Sequence, residues 1–274
     1  MHHAPIGVFD SGIGGLSILQ ALRAELPSEN FVYVADSGHA PYGERDSTHV
    51  IERARAITRY LRGQHQIKAL VIACNTATAA AIHLLRQEEG DFPIVGVEPA
   101  LKPAAQHSQT RRIGVMATQS TIRSDKFQAL LASLKDQATF ICQPCSGLAS
   151  AIEVGDVTTI HSLCAQHTAA LGPFGTQTDQ IDTLVLGCTH YPFARETIQH
   201  MVGTRIHLLD SGIPVARQTR RVLEARQALS HAREGQTLLY ASGPAQDLRT
   251  AAQRWLNSID DVKSLSLTGD YEAG

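Results

Sequence analysis

The chain contains no apolar run approaching the roughly 20 residues that a bilayer-spanning helix needs, so no membrane span is expected. Nor does it carry an excess of one charge. Its 24 Lys and Arg oppose 26 Asp and Glu, for a formal net charge of −2. That balance lacks the basic footprint of a nucleic-acid binder and the polybasic patch of a membrane-surface protein. Five cysteines, an odd number, are scattered through 274 residues, so no disulfide framework is expected. No apolar signal-peptide core precedes the first strand-like run at Ile6, and His2 and His3 are too few to make a tag. Together these absences point to free thiols in a reducing cytoplasm. What remains is an ordinary globular composition, long enough for one large or two modest domains.

Two short stretches organise the rest. Residues 70–81 run from an apolar, strand-like segment into an Ala-rich, helix-like one, with Cys74 at the junction. Asn75 and Thr76 are good N-cap residues there. A thiol at that junction meets unpaired backbone N–H groups and the positive end of a helix dipole, and both favour thiolate. The pattern returns at residues 184–192, where Cys188 follows a second apolar run and is predicted to meet a second helix start. One such cysteine reads equally as a small core residue. Two in matching contexts point to chemistry.

Elsewhere, strand-like runs at 6–9, 31–35, 93–97, 113–118, 139–142, 207–210 and 238–242 alternate with helical spacing at 16–26, 47–64, 213–231 and 244–256, before a polar tail. This alternation predicts an α/β fold with doubly wound, mostly parallel sheets. The chain also repeats itself. Residues 113–118 resemble 6–11 at an offset of 107, whereas the cysteine strands are offset by 114. The difference is read as a loop inserted near 172–178, where glycine and proline occur. Two similar lobes related by pseudo-two-fold symmetry are expected, with the active site in the cleft between them, beyond the strand carboxyl ends. The final segment is expected to return to the first lobe. That lobe would comprise 1–98 plus 210–274 and carry Asp10 and Cys74. The second, 99–209, would carry Cys188 and His190.

Five motifs occur in order. They are Gly7-Val8-Phe9-Asp10-Ser11-Gly12-Ile13-Gly14-Gly15, Asp36-Ser37-Gly38-His39-Ala40-Pro41-Tyr42-Gly43, Ala73-Cys74-Asn75-Thr76-Ala77, Gly96-Val97-Glu98-Pro99-Ala100, and Leu186-Gly187-Cys188-Thr189-His190-Tyr191-Pro192. On these motifs the chain resembles the glutamate racemases of the cofactor-independent aspartate/glutamate racemase superfamily. The resemblance implies a bacterial, cytoplasmic isomerase that interconverts L- and D-glutamate and supplies D-glutamate for the peptidoglycan that sets cell shape. It implies no cofactor and no metal, a small-molecule substrate, and a homodimer. By resemblance, Cys74 acts on the D-enantiomer with Asp10 assisting, and Cys188 acts on the L-enantiomer with His190 assisting. Substrate-binding roles carry over to Asp10, Ser11, Tyr42, Gly43, Asn75, Thr76, Thr189 and His190, with Thr118 and Thr121 as candidates in the second lobe. Ala117 and Phe127 depart from the glycine and tyrosine expected there. Some members are activated through an N-terminal extension by a peptidoglycan precursor; with five residues before Ile6, no such activation is expected.

The chemistry agrees with the resemblance. Inverting an amino acid removes the α-proton from one face and returns a proton to the other, which two bases on opposite sides do with little motion. An ordinary thiol titrates near 8.5, so one thiolate is accessible near neutral pH. The carbanionic intermediate needs hydrogen-bond donors on its carboxylate and exclusion of water. No lysine stands near either cysteine motif for an imine, which argues against pyridoxal phosphate.

Each assignment has a plainer alternative. Asp10 reads also as a helix N-cap and His190 as a structural histidine. Asp36 and Glu153 are candidates for tuning proton transfer, or else solvated loop carboxylates. Gly12-Ile13-Gly14-Gly15 with Asp36 imitates a dinucleotide fingerprint, but Ser17 stands where its third glycine belongs. Cys142 and Cys145 have redox-motif spacing, with no second pair to complete a zinc site, and read as core or loop cysteines. His161, Cys164 and His167 read as a polar helix face, and the arginines of 217–226 as a solvated one. Two functional alternatives stay open: an aspartate or other amino-acid racemase of the same superfamily, and a non-catalytic amino-acid-binding protein.

Overall fold

The computed structural model describes residues 4–256 and 261–267. The chain opens with β1 (Ile6–Asp10), α1 (Leu16–Glu25) and β2 (Phe31–Ala35). Both strands are buried along their whole length, as strands covered on both faces must be. Next come α2 (Ser47–His65), β3 (Ala69–Ile72), α3 (Asn75–Glu89) and β4 (Ile94–Gly96). α2 is capped by Asp46, whose carboxylate accepts the His49 amide at 2.8 Å.

A second round follows: α4 (Leu101–His107), β5 (Arg112–Ala117), α5 (Gln119–Arg123), α6 (Asp125–Leu134) and β6 (Thr139–Pro144). Then come α7 (Leu148–Val154), α8 (Val157–Leu171), β7 (Thr183–Gly187), α9 (Arg195–Val202) and β8 (His207–Leu209). The chain closes with α10 (Gly212–Ala225), β9 (Thr237–Ala241), α11 (Ala245–Leu256) and β10 (Val262–Ser264).

These elements form two compact units, Met1–Val97 with Gly212–Gly274, and Glu98–Ser211. The first holds a sheet in the order β10-β9-β2-β1-β3-β4, and the second a sheet in the order β6-β5-β7-β8. All their ladders are parallel. The inner order β2-β1-β3-β4 is that of β6-β5-β7-β8, which accounts for the repeat in the sequence. In each sheet the chain winds one way from the central strand and then the other, so a crevice opens at the strand carboxyl ends between β1 and β3, and between β5 and β7.

Helices cover both faces. Phe9, Val32, Val34, Leu70 and Ile72 pack with Ile57 and Leu61 of α2 and Ala77 and Ile82 of α3, while α1 packs on α10 and α11. In the second unit Met116, Leu184 and Leu186 meet α7, α8 and α9, and Ile113, Val115 and Val185 meet α4 and α6. No helix among the described residues is long and apolar enough to cross a membrane.

Four local expectations need correction. The helix expected at 213–231 ends at Ala225: Gln227 turns to φ +52°, and the Ala228 amide bonds back to Leu223 O at 2.9 Å. The segment beyond is pinned instead. Lys68 Nζ donates to Ala228 O at 2.8 Å and pairs with Glu29 at 2.5 Å, while Glu29 Oε1 accepts the Ser230 amide at 2.7 Å. The polar tail contains β10, three residues with only Val262 buried, too short to show a period. Residues 257–260 and 268–274 of that tail lie outside the described residues, as do His2 and His3. On α8, His161 is exposed, but Cys164 and His167 are buried rather than part of a polar face. His167 is satisfied inside, with Nδ1 3.2 Å from Gln143 Nε2 and Nε2 3.2 Å from Ser146 O. Finally, Arg220 does not face solvent alone; its Nε donates to Glu25 on α1 at 2.7 Å.

Candidate active site

In the first unit the site forms at the carboxyl ends of β1 and β3. Cys74 is itself the N-cap of α3, a role expected of its neighbours Asn75 and Thr76. Its Sγ accepts the Ala77 amide at 3.4 Å, so the sulfur lies where the helix presents unpaired N–H groups. On its other side Sγ lies 3.9 Å from Ser11 Oγ, to which the thiol donates. Ser11 Oγ in turn donates to Asp10 Oδ1 at 3.1 Å. Asp10 is fully buried at the end of β1 and is not a helix cap; α1 begins after Gly15, with no side-chain cap bond. Its Oδ1 also accepts the Gly12 amide at 2.9 Å. The turn is held close: Tyr33 donates to Gly12 O at 2.6 Å, and a Cβ at Gly15 would come within 2.5 Å of Asp10 Cβ. Asn75 and Thr76 are buried beside the thiol, and Asn75 Oδ1 has no hydrogen-bond partner.

Asp36 follows β2 and is buried, not solvated. Arg53 of α2 grips both its oxygens, Nε to Oδ2 at 2.9 Å and Nη2 to Oδ1 at 2.8 Å, and Tyr42 donates to Oδ2 at 2.5 Å. Burial pushes the Asp36 carboxyl up, but the bonds from Arg53, Tyr42 and Ser242 outweigh it and leave the group below the usual carboxylate range. Tyr42 is raised far above an ordinary phenol, first by burial and then by the Asp36 charge. Gly43 follows it, half-buried.

In the second unit Cys188 follows β7 but does not begin an α-helix. Residues 191–194 form a 3-10 turn, because Pro192 has no amide to donate back to the Cys188 carbonyl, and Tyr191 N takes that carbonyl at 3.1 Å instead. The turn brings His190 round, so that its Nδ1 lies 3.8 Å from Cys188 Sγ. His190 Nε2 lies 2.6 Å from Glu153 Oε2. Glu153 is on α7, not on a solvated loop, and its side chain is 18% exposed. Burial alone would lower the His190 pKa. Hydrogen bonds to Cys188 and Glu153, with their charges, overcome it and raise the group well above an ordinary imidazole.

Thr189 is buried next to Cys188. Thr118 caps α5 by accepting the Thr121 amide at 3.2 Å, and the two hydroxyls lie 2.9 Å apart. Ala117 is accommodated because it stands opposite Gly187 in the ladder, where a Cβ would come within 3.1 Å of it. Phe127 packs into the α4–α6 core.

Two contributions escaped sequence reasoning. Arg53 gives no signal beyond being one of many polar residues of α2. The Glu153–His190 bond needs the packing of α7 against the turn after β7. Burial pushes Cys142 and Cys164 up to about 11, and Cys145 higher still, so these three thiols stay protonated. Among the described residues no group of three or more His, Cys, Asp and Glu could hold a metal ion.

Residues 16–219 match the family described as Asp/Glu/Hydantoin racemase. The chain is 50% identical over 224 residues to the glutamate racemase of Ralstonia nicotianae, an alignment covering 81% of this chain and 78% of that protein. Among solved structures, a glutamate racemase isoform of Bacillus anthracis matches with a TM-score of 0.86 at 30% identity, over 97% of this chain and 99% of that one. The Francisella tularensis glutamate racemase, solved in complex with D-glutamate, matches with a TM-score of 0.83 at 25% identity over the same shares.

Proposed function

The chain belongs to the Asp/Glu/hydantoin racemase family, and from that premise we propose that it interconverts L- and D-glutamate with Cys74 and Cys188 as the two bases at the α-carbon. One observation carries the reading: each cysteine is linked to its own buried or half-buried carboxylate through a single side chain, Cys74–Ser11–Asp10 and Cys188–His190–Glu153.

The steps balance. With L-glutamate, Cys188 as thiolate takes the α-proton and Cys74 as thiol gives its proton to the opposite face. With D-glutamate the roles reverse. Each cysteine must therefore be stable in two protonation states. At Cys74 the Ala77 N–H supports the thiolate and the Ser11 oxygen accepts from the thiol. At Cys188 a proton held on His190 by Glu153 supports the thiolate. Tyr42, Gly43, Thr76 and Thr189 serve the substrate's carboxylates, and the unpartnered Asn75 Oδ1 offers an acceptor to its ammonium group. The product supplies cell-wall peptidoglycan, and the enzyme works in the cytoplasm as a homodimer, without cofactor or metal.

The test is turnover of each enantiomer in heavy water, followed by circular dichroism, with pyridoxal phosphate absent and a chelator present. Optical signal decays from both enantiomers and deuterium enters the α-carbon. Cys74→Ala stops inversion by about a thousandfold or more but still exchanges the α-proton of L-glutamate with retention; Cys188→Ala does the same for D-glutamate. Turnover of aspartate alone would keep the chemistry and move the specificity. Silence with every amino acid would overturn the reading in favour of a binding protein.

A further inference from the structure

We propose that Arg53 is a positioning residue for substrate binding: by gripping Asp36 with two parallel N–H groups it anchors the Tyr42 hydroxyl, and through it the Tyr42–Gly43 backbone. This rests on the reading above, in which Tyr42 and Gly43 meet the substrate.

The segment between β2 and α2 has no ladder of its own. It contains two single 3-10 turns, Ser37–His39 and Tyr42–Glu44, neither with a side-chain cap bond. Its first half is tied to the end of β9: Gly38 N donates to Ser242 Oγ at 3.1 Å and Gly243 N to Ser37 Oγ at 3.3 Å. Its second half runs through exposed Glu44, Arg45 and Asp46. There one side chain goes inward. Tyr42 is among the largest fully buried side chains of the molecule, and its hydroxyl donates to Asp36.

Asp36 is 0% exposed and holds that hydroxyl only while it remains an acceptor. A carboxylate removed from water takes up a proton unless a cation meets it. Arg53 is that cation, and its planar fork fixes the direction of both oxygens as well as their charge. A buried pair of this kind is poor evidence for added stability, since its desolvation cost offsets its attraction. Its distinctive effect is geometric.

The experiment compares Arg53→Gln, Arg53→Lys, Tyr42→Phe and the double variant Arg53→Gln/Tyr42→Phe. Readouts are kcat and KM in both directions and amide hydrogen exchange of residues 37–45. In Arg53→Gln we expect KM for both enantiomers to rise about tenfold, with kcat within about threefold, and exchange to quicken in 37–45 but not in β1 or β3. Arg53→Lys, which keeps the charge and loses the fork, should fall between. The double variant should raise KM no further than the worse single variant, because both act along one path. An unchanged KM, an additive double variant, or a fall in kcat with normal KM would overturn the proposal, the last being what lost folded protein alone produces. If the unaltered protein does not turn over glutamate, the functional reading fails separately. Exchange then decides whether Arg53 anchors Tyr42, and unchanged exchange in Arg53→Gln overturns that too.

Discussion

His190 and Glu153 are joined by a 2.6 Å bond from Nε2 to Oε2, which leaves Nδ1 turned to Cys188 Sγ at 3.8 Å. The carboxylate thus decides which nitrogen faces the thiol and how firmly the ring holds its second proton.

Glu153→Gln should let that proton go more easily. The alkaline limb of kcat/KM then moves to lower pH, and it moves equally for both enantiomers, because a racemisation has an equilibrium constant of one. Stability follows the same sign. The His190 pKa is raised on folding, so its contribution is full below the unfolded value of about 6.5 and is lost as pH rises through the folded value. Urea unfolding should show Glu153→Gln most destabilised near pH 6 and closest to the unaltered protein at alkaline pH. A constant difference would rule out this coupling.

Ser11→Ala cuts the link between Cys74 and Asp10. Inversion should slow by roughly a hundredfold, while deuterium exchange of L-glutamate with retention, which needs only Cys188, continues. Loss of both together would mean that Ser11 supports the substrate rather than the thiol.

Gly15→Ala places a Cβ 2.5 Å from Asp10 Cβ and 2.7 Å from the Tyr33 hydroxyl. Overpacking of this kind costs about 1–3 kcal/mol, measurable by denaturant unfolding. Because the shift falls on Asp10, kcat should drop even in the fully folded protein. Full activity at reduced stability would place the strain on Tyr33 instead.

Lys68→Met should cost about 3–5 kcal/mol, since it leaves the buried Glu29 without its ion-pair partner beneath the segment after α10. Adding Glu29→Gln should recover part of that. Neither change touches the site, so kcat per folded molecule should hold.

Alkylation with iodoacetamide at pH 8 should spare Cys142 and Cys164. With pKa values of about 11, only about one in a thousand of each is thiolate. Peptide mapping that found either labelled first would contradict the upward shift that desolvation gives them.

Much of this was legible in one dimension. The β1, β2 and β3 runs and the junction at Cys74 are short-range patterns, set by side-chain periodicity and by the donors a helix start leaves unpaired. The α/β class and the repeat followed from those patterns in series. Some misreadings have equally local causes: Pro192 turned an expected helix into a 3-10 turn, Gln227 stopped α10 early, and β10 was too short to show a period. Others are long-range: His167 is satisfied by Gln143 from 24 positions away, and Arg220 reaches Glu25 from 195.

The sequence by itself determined which residue types stand at the strand ends: a carboxylate and a hydroxyl at the end of β1, and thiols after β3 and β7. Tertiary structure alone decided what each one touches. Ser11 meets Cys74 from 63 positions away, Glu153 meets His190 from 37, and Arg53 meets Asp36 from 17. The reason is topological. Parallel strands need long crossovers, so neighbours at one sheet edge are far apart in the chain, and only the order of the strands and the packing of helices on them bring a thiol to the group that sets its charge.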